Sequence, residues 1–228
     1  MESKDQQRAA YLRDAETKAV QLFAEIESDL IRPGISEKTL SDEIHALGEK
    51  RHGVRTHWHK RVVRSGPNTQ APFSDNPPDR VIGEDDILVV DLGPVFEDWE
   101  ADFGRTYVLG DDPNKIKLRD ALEPMWKRVK GLYDERPGMT GEQLYEIACR
   151  EAQKDGWVFS APIAGHIVGS FPHERIPRDK ISLYIAEGSG TAMDGVDKDG
   201  NRRHWILEIH LRDAANQIQG FYEQLLTA

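Results

Sequence analysis

Four runs along this chain carry the spacing of strands: ILVVDLGPVF turns back into WEADFGRTYVLG, and much later HWILEIHLRD turns back into QIQGFYEQLL. Each couple reads as an antiparallel hairpin. With a tip near Phe96 and Glu97, the first hairpin sets Asp91 opposite Asp102; with a tip near Ala215 and Asn216, the second sets Glu208 opposite Glu223. Helical periodicity covers roughly residues 5–31 and 116–134. Each of those helices leads into a similar segment, RPGISEKTLSDEI from Arg32 and RPGMTGEQLYEI from Arg136. Both copies open a further helix, with Ser36 and Thr140 as N-caps and Gln143 completing a capping box in the second. The order of elements therefore repeats. It predicts an α+β single domain over residues 1–228, built of two pseudo-equivalent halves, roughly 1–112 and 113–228, with one acid pair in each.

The acid pairs carry the chemistry. Like charges facing one another destabilise a sheet, and a carboxylate flanked by Leu88, Val89, Val90 and Leu92 is expensive to bury ionised without a compensating cation. A divalent metal supplies that charge. Between the hairpins, AGHIVGSFPHERIP adds His166 and His173, so four carboxylates and one or two imidazoles make the donor set of a dinuclear site. In THWHKRVV, His57 and His59 alternate with Trp58 and share one face if the segment is a strand, which offers them to the pocket or to a metal. Trp58, Trp99 and Trp205 lie near these residues in sequence and read as pocket wall or ordinary core. Arg105 reads as an ion-pair partner, of a bridging acid or at the surface; Asp194, Asp197 and Asp199 lack the distal Glu of a calcium loop and read as a turn.

Composition narrows the class. A net charge of −10 argues against a nucleic-acid or membrane-surface partner, both of which call for basic stripes. No apolar run reaches transmembrane length and MESKDQQRAA lacks a signal-peptide core, so the expected compartment is the cytoplasm. Cys149 stands alone, which rules out an intrachain disulfide; its place in EQLYEIACREAQ predicts a packed core thiol.

Over nearly its whole length the chain resembles the metallopeptidases of the methionine aminopeptidase, aminopeptidase P and prolidase group. The resemblance rests on VDLGP with Asp91, ADFGRT with Asp102, GHIVG with His166, HERIP with His173, WILEI with Glu208 and GFYEQL with Glu223. It implies the pita-bread fold, in which Asp91 binds one metal, Asp102 and Glu223 bridge, and His166 and Glu208 complete the second. It further implies that His173 faces the substrate carbonyl and that Glu208 also shuttles protons. The implied cofactors are two divalent ions, Mn²⁺, Co²⁺ or Fe²⁺, with Zn²⁺ also compatible.

Three departures fall in the pocket. Phe73 stands where the family commonly has a His after the SGPN turn, and Pro162 where Xaa-Pro members tend to have a His; RRHWILEIH replaces the usual surroundings of the first metal Glu. The surroundings of His173 look closer to Xaa-Pro than to methionine-type members, so an exopeptidase acting on a short peptide or small amide is expected, with a homodimer left open. The separate N-terminal domain of larger Xaa-Pro enzymes is not expected here. A creatinase-like enzyme for a small non-peptide substrate is the second reading, and a binding protein with an inactive site the third.

Overall fold

The computed structural model describes residues 3–173, 180–215 and 217–228. The helices are α1 (Lys4–Glu25), α2 (Glu37–His52), α3 (Pro113–Asp134) and α4 (Gly141–Lys154). The strands are β1 (Thr56–His57), β2 (Val62–Ser65), β3 (Ile87–Leu92), β4 (Pro94–Phe96), β5 (Trp99–Glu100), β6 (Phe103–Val108), β7 (Val158–Phe159), β8 (Ile163–Val168), β9 (Tyr184–Ala186), β10 (His204–Arg212) and β11 (Gln219–Leu225). This is an α+β architecture, and none of its described helices is long and apolar enough to cross a membrane.

Capping decides where the repeated helices begin. The Ser36 hydroxyl accepts the Thr39 amide and the Thr140 hydroxyl accepts the Gln143 amide, with the Gln143 side chain reaching back in a reciprocal box. Such caps satisfy amides the helix itself leaves unpaired, and each contributes about 1 kcal/mol. α2 stops at Gly53, whose φ of 68° is the left-handed conformation glycine adopts without a Cβ penalty.

The main sheet runs β2-β3-β6-β11-β10-β8-β9, with β7 added to β10. Its two hairpins meet edge to edge through β6 and β11, where Glu223 pairs with Gly104. Helices cover one face. Leu88, Val90, Leu92 and Phe103 pack with Leu22, Phe23, Leu40 and Ile44 of α1 and α2. Leu207, Ile209 and Leu211 pack with Leu118, Leu122, Met125 and Leu144 of α3 and α4. Each fully buried side chain of this size contributes roughly 1.5–3 kcal/mol. Because strand side chains alternate, burying Val90 and Leu92 sends Asp91 to the opposite face, and burying Leu207 and Ile209 sends Glu208 there too.

The second hairpin has the expected register, with Glu208 opposite Glu223; Asn216, expected at its tip, lies outside the described residues. The first does not. Asp91 faces Gly104, and Asp102 lies just outside the ladder. The tip sits at Glu97 and Asp98, because Phe96 pairs with Trp99 and Glu97 adopts a φ of 58°. Beyond β3 the chain leaves the main sheet to form a separate three-stranded sheet, β1-β4-β5, and Ala101 and Asp102 carry it back. The shift is by two residues, an even number, so the acid keeps its face and is diagonal to Asp91.

Candidate metal centre

Pairings across the two hairpins put Asp91, Gly104, Glu223 and Glu208 in one row over β3, β6, β11 and β10. The row has three acids and one glycine. Asp102 joins from the link that leads into β6 near Gly104, and His166 joins from β8, with Nε2 3.3 Å from Asp102 Oδ2 and 3.8 Å from Glu208 Oε1. His59 approaches from the other side. Its Nε2 lies 3.1 Å from Asp102 Oδ1 and 3.5 Å from Asp91 Oδ1. Donor atoms thus gather in two overlapping groups, His59 with Asp91 and Asp102, and Asp102 with His166 and Glu223, each within 4.8 Å.

Burial sharpens the electrostatics, for Asp102, Glu208 and Glu223 are only 5 %, 6 % and 2 % exposed. Desolvation pushes Asp91 up, and repulsion from Asp102 and Glu208 adds to it; His59 opposes, and the group ends at about 7. Glu223 is raised well above its ordinary value by desolvation and by Asp102, Asp91 and Glu208. Asp102 also suffers desolvation, but attraction and hydrogen bonding from both imidazoles outweigh it and hold it down near 2. The rings respond in turn. Burial would lower His59 and His166, yet the carboxylates raise them to about 9 and about 8. Even so, Glu223 Oε2 is buried without a hydrogen-bond partner among the described residues. Three buried acids and the half-buried Asp91, two imidazoles aimed at them and an orphaned carboxylate oxygen fit a pair of divalent cations.

Sequence reasoning missed two neighbours. Glu100, 1 % exposed, accepts His173 Nδ1 at 2.6 Å and the amides of Gly169 and His173 at 3.3 and 3.1 Å, so it fixes the ring expected to meet substrate. His210 Nε2 lies 2.8 Å from Glu208 Oε2. Strand parity could have found His210, two residues after Glu208 on the same face. Nothing in the pattern tied Glu100 to a partner so distant in sequence. Glu174 and Pro177, which follow His173 in HERIP, lie outside the described residues.

The pocket expectations split. β1 ends at His57 and the chain bends, so His57 and His59 do not share a face: His57 turns to His45, ring centroids 6.1 Å apart, and burial lowers it to about 3. Trp58 does enter the site, packing edge-on against His59, His166 and His173 at 4.5, 5.2 and 5.0 Å. Trp99 instead stacks on Tyr11, and Trp205 is core, its Nε1 donating to the Met193 carbonyl. Phe73 lies at the rim, 54 % exposed, with its ring 5.7 Å from His59. Among the described residues Arg105 pairs with no acid side chain within bonding distance. It is sandwiched at 3.7 Å between Phe103 and Tyr222 and donates to the carbonyls of Gly104 and Glu223 and to Gln224. Asp197 accepts the amides of Asp199 and Asn201, a turn as expected. Cys149 is half-buried where a packed core thiol was expected, and burial raises its thiol.

Comparison with known proteins identifies the family and the fold. The model of metallopeptidase family M24 matches residues 10–195. The chain belongs to that family. Its relatives include an Xaa-Pro dipeptidase of Lactobacillus helveticus, 24% identical over 152 residues, 64% of this chain and 39% of that protein. Another is the Xaa-Pro dipeptidase of Pyrococcus furiosus, 28% identical over 146 residues, 63% of this chain and 41% of that protein. This M24 chain thus matches about two fifths of the length of those curated relatives. Among solved structures, prolidase from Pyrococcus furiosus superposes with a TM-score of 0.73 at 19% identity, covering 99% of this chain and 61% of that one. Methionine aminopeptidase from Rickettsia prowazekii does so with a TM-score of 0.72 at 16% identity, covering 100% of both. The M24 chain has the pita-bread fold of the prolidases.

Proposed function

We propose that this M24 member is a dinuclear-metal-dependent exopeptidase of the Xaa-Pro type. The observation that carries the reading is the gathering of Asp91, Asp102, His166, Glu208 and Glu223 on the sheet face away from the helices, with one Glu223 oxygen unpartnered. The Xaa-Pro names of relatives such as those above support the substrate class. On this reading Asp91 would hold one ion, His166 and Glu208 would hold the other, and Asp102 and Glu223 would serve both, with residues 1–228 acting as one catalytic unit. Bound there, two divalent ions, Mn²⁺, Co²⁺, Fe²⁺ or Zn²⁺, would acidify a shared water and polarise the scissile carbonyl.

The protein groups supply the rest. Glu208, held by His210, takes the water's proton and delivers it to the leaving nitrogen. His173 is oriented by Glu100 through Nδ1, which leaves Nε2 to face the developing oxyanion. Trp58 packs against His59, His166 and His173 and excludes water from that side. Phe73 at the rim offers an apolar edge to a compact group such as a proline ring.

A panel of short peptides with proline after the scissile bond tests the proposal. Cleavage is expected with Mn²⁺ or Co²⁺ and none in chelator. A sample with two bound ions and no activity on any Xaa-Pro or Met-initiated peptide would overturn the peptidase reading. Phe73, in place of a family His, favours as the second reading a small non-peptide amide substrate, which that same sample would then be tested against.

A further inference from the structure

His59 is built into the centre in the same way as His166. In both rings Nδ1 sits against the backbone carbonyl of the next residue, Lys60 at 2.7 Å and Ile167 at 2.8 Å. A carbonyl only accepts, so Nδ1 carries the hydrogen and the lone pair of the neutral ring is at Nε2. Both Nε2 atoms point at Asp102, His59 at Oδ1 and His166 at Oδ2. A lone pair facing carboxylate oxygens is repulsive unless a proton or a metal cation stands between them, and a metal takes the place of that proton. Locking Nδ1 to a carbonyl is how proteins present Nε2 to a metal.

The placement of His59 is enforced from several directions. The Trp58 amide donates to the Gly93 carbonyl at 2.8 Å, drawing the bend down onto the strand next to Asp91. Only glycine allows it, since a Cβ on residue 93 would lie 2.3 Å from His59 Cδ2 and 2.4 Å from Trp58 Nε1. The following Lys60 is anchored through Nζ to the Asp75 carbonyl and to Asn76. Trp58 and Phe73 flank the ring.

We propose that His59 is a sixth metal ligand, coordinating through Nε2 the ion held by Asp91 and Asp102, so that each ion of the pair has one imidazole. The proposal rests on the dinuclear reading above. A second imidazole moves the first position away from an all-carboxylate set, toward metals that favour nitrogen, Fe²⁺, Co²⁺ and Zn²⁺ over Mn²⁺.

The test is proton NMR and calorimetric titration of the full chain with Co²⁺. A histidine bound through Nε2 shows its Nδ1–H as an exchangeable, paramagnetically shifted signal. The wild type should bind two Co²⁺ and show such signals for His59 and His166; the His59 signal is assigned in the wild type by its Overhauser contact to Lys60, which keeps the result decisive if a variant fails to fold. His59→Gln should remove that signal and weaken one of the two sites by tenfold or more, while His57→Gln should change neither. Two bound Co²⁺ without a shifted signal from His59, or both sites unweakened in His59→Gln, would overturn the His59 assignment alone. A wild type that takes up no Co²⁺ would overturn the dinuclear reading itself.

Discussion

The two hairpins that meet at Gly104 and Glu223 arm one site in opposite electrostatic ways. On the first, Asp102 has an imidazole on each oxygen and is held down near 2. On the second, Glu223 has no imidazole within ion-pair distance among the described residues, keeps one buried oxygen unpartnered and is raised well above its usual range. Both acids are buried to a similar degree, so burial does not separate them. Compensation does. The difference shows how far protein groups alone can neutralise the cluster, and that the Glu223 side is where added positive charge gains most.

The sharpest way to break the comparison is to remove its shared member. Asp102→Ala should reduce Mn²⁺ binding below two per chain and take peptide turnover to background, measured by equilibrium dialysis and a dipeptide assay. Full occupancy and turnover would show that Asp102 does not join the two sides. A smaller effect is expected off the metals. His173→Ala should keep metal content near normal and lower turnover by roughly 10²-fold, the scale of losing a transition-state donor. Metal loss in that variant would make His173 a ligand. Glu100→Gln keeps an acceptor for the ring but removes the charge; turnover should fall by about tenfold, less than in His173→Ala, with metal content unchanged.

Smaller again is the pH effect on the metal-free chain. His59 and His166 stand at about 9 and about 8 against an ordinary 6.5, so the stability they contribute is full below about pH 6.5. It is lost as pH rises through 8 and then 9. The melting temperature of the metal-free protein should therefore fall over that window, and metal should restore it most at the alkaline end. A metal-free melting temperature that holds steady or rises from pH 6.5 to 9.5 would contradict the charged-imidazole account.

How much of this the sequence disclosed also differs between the hairpins. Glu208 and Glu223 were legible because Leu207, Ile209 and Leu211 alternate strictly and the strands pair without interruption. The first hairpin hid its register, because its tip has no Asn-Gly or Asp-Gly pair; the left-handed residue is Glu97. Parity still placed Asp91 and Asp102 on one face. The helices and the α+β class were legible from caps and periodicity, and the pita-bread arrangement from the family resemblance. His59 was legible only as one of two alternating histidines, since the two-residue β1 and the bend after it are set by contact with Gly93. Glu100 was invisible because its meaning depends on His173 packing against it from the far half of the chain.

Anomalous diffraction from crystals of the Mn²⁺-loaded chain tests the central claim most directly. The account predicts two peaks, both within coordination distance of Asp102 and Glu223, one on the Asp91 side and one on the His166 side. A single peak, or two peaks that leave Glu223 uncoordinated, would contradict it.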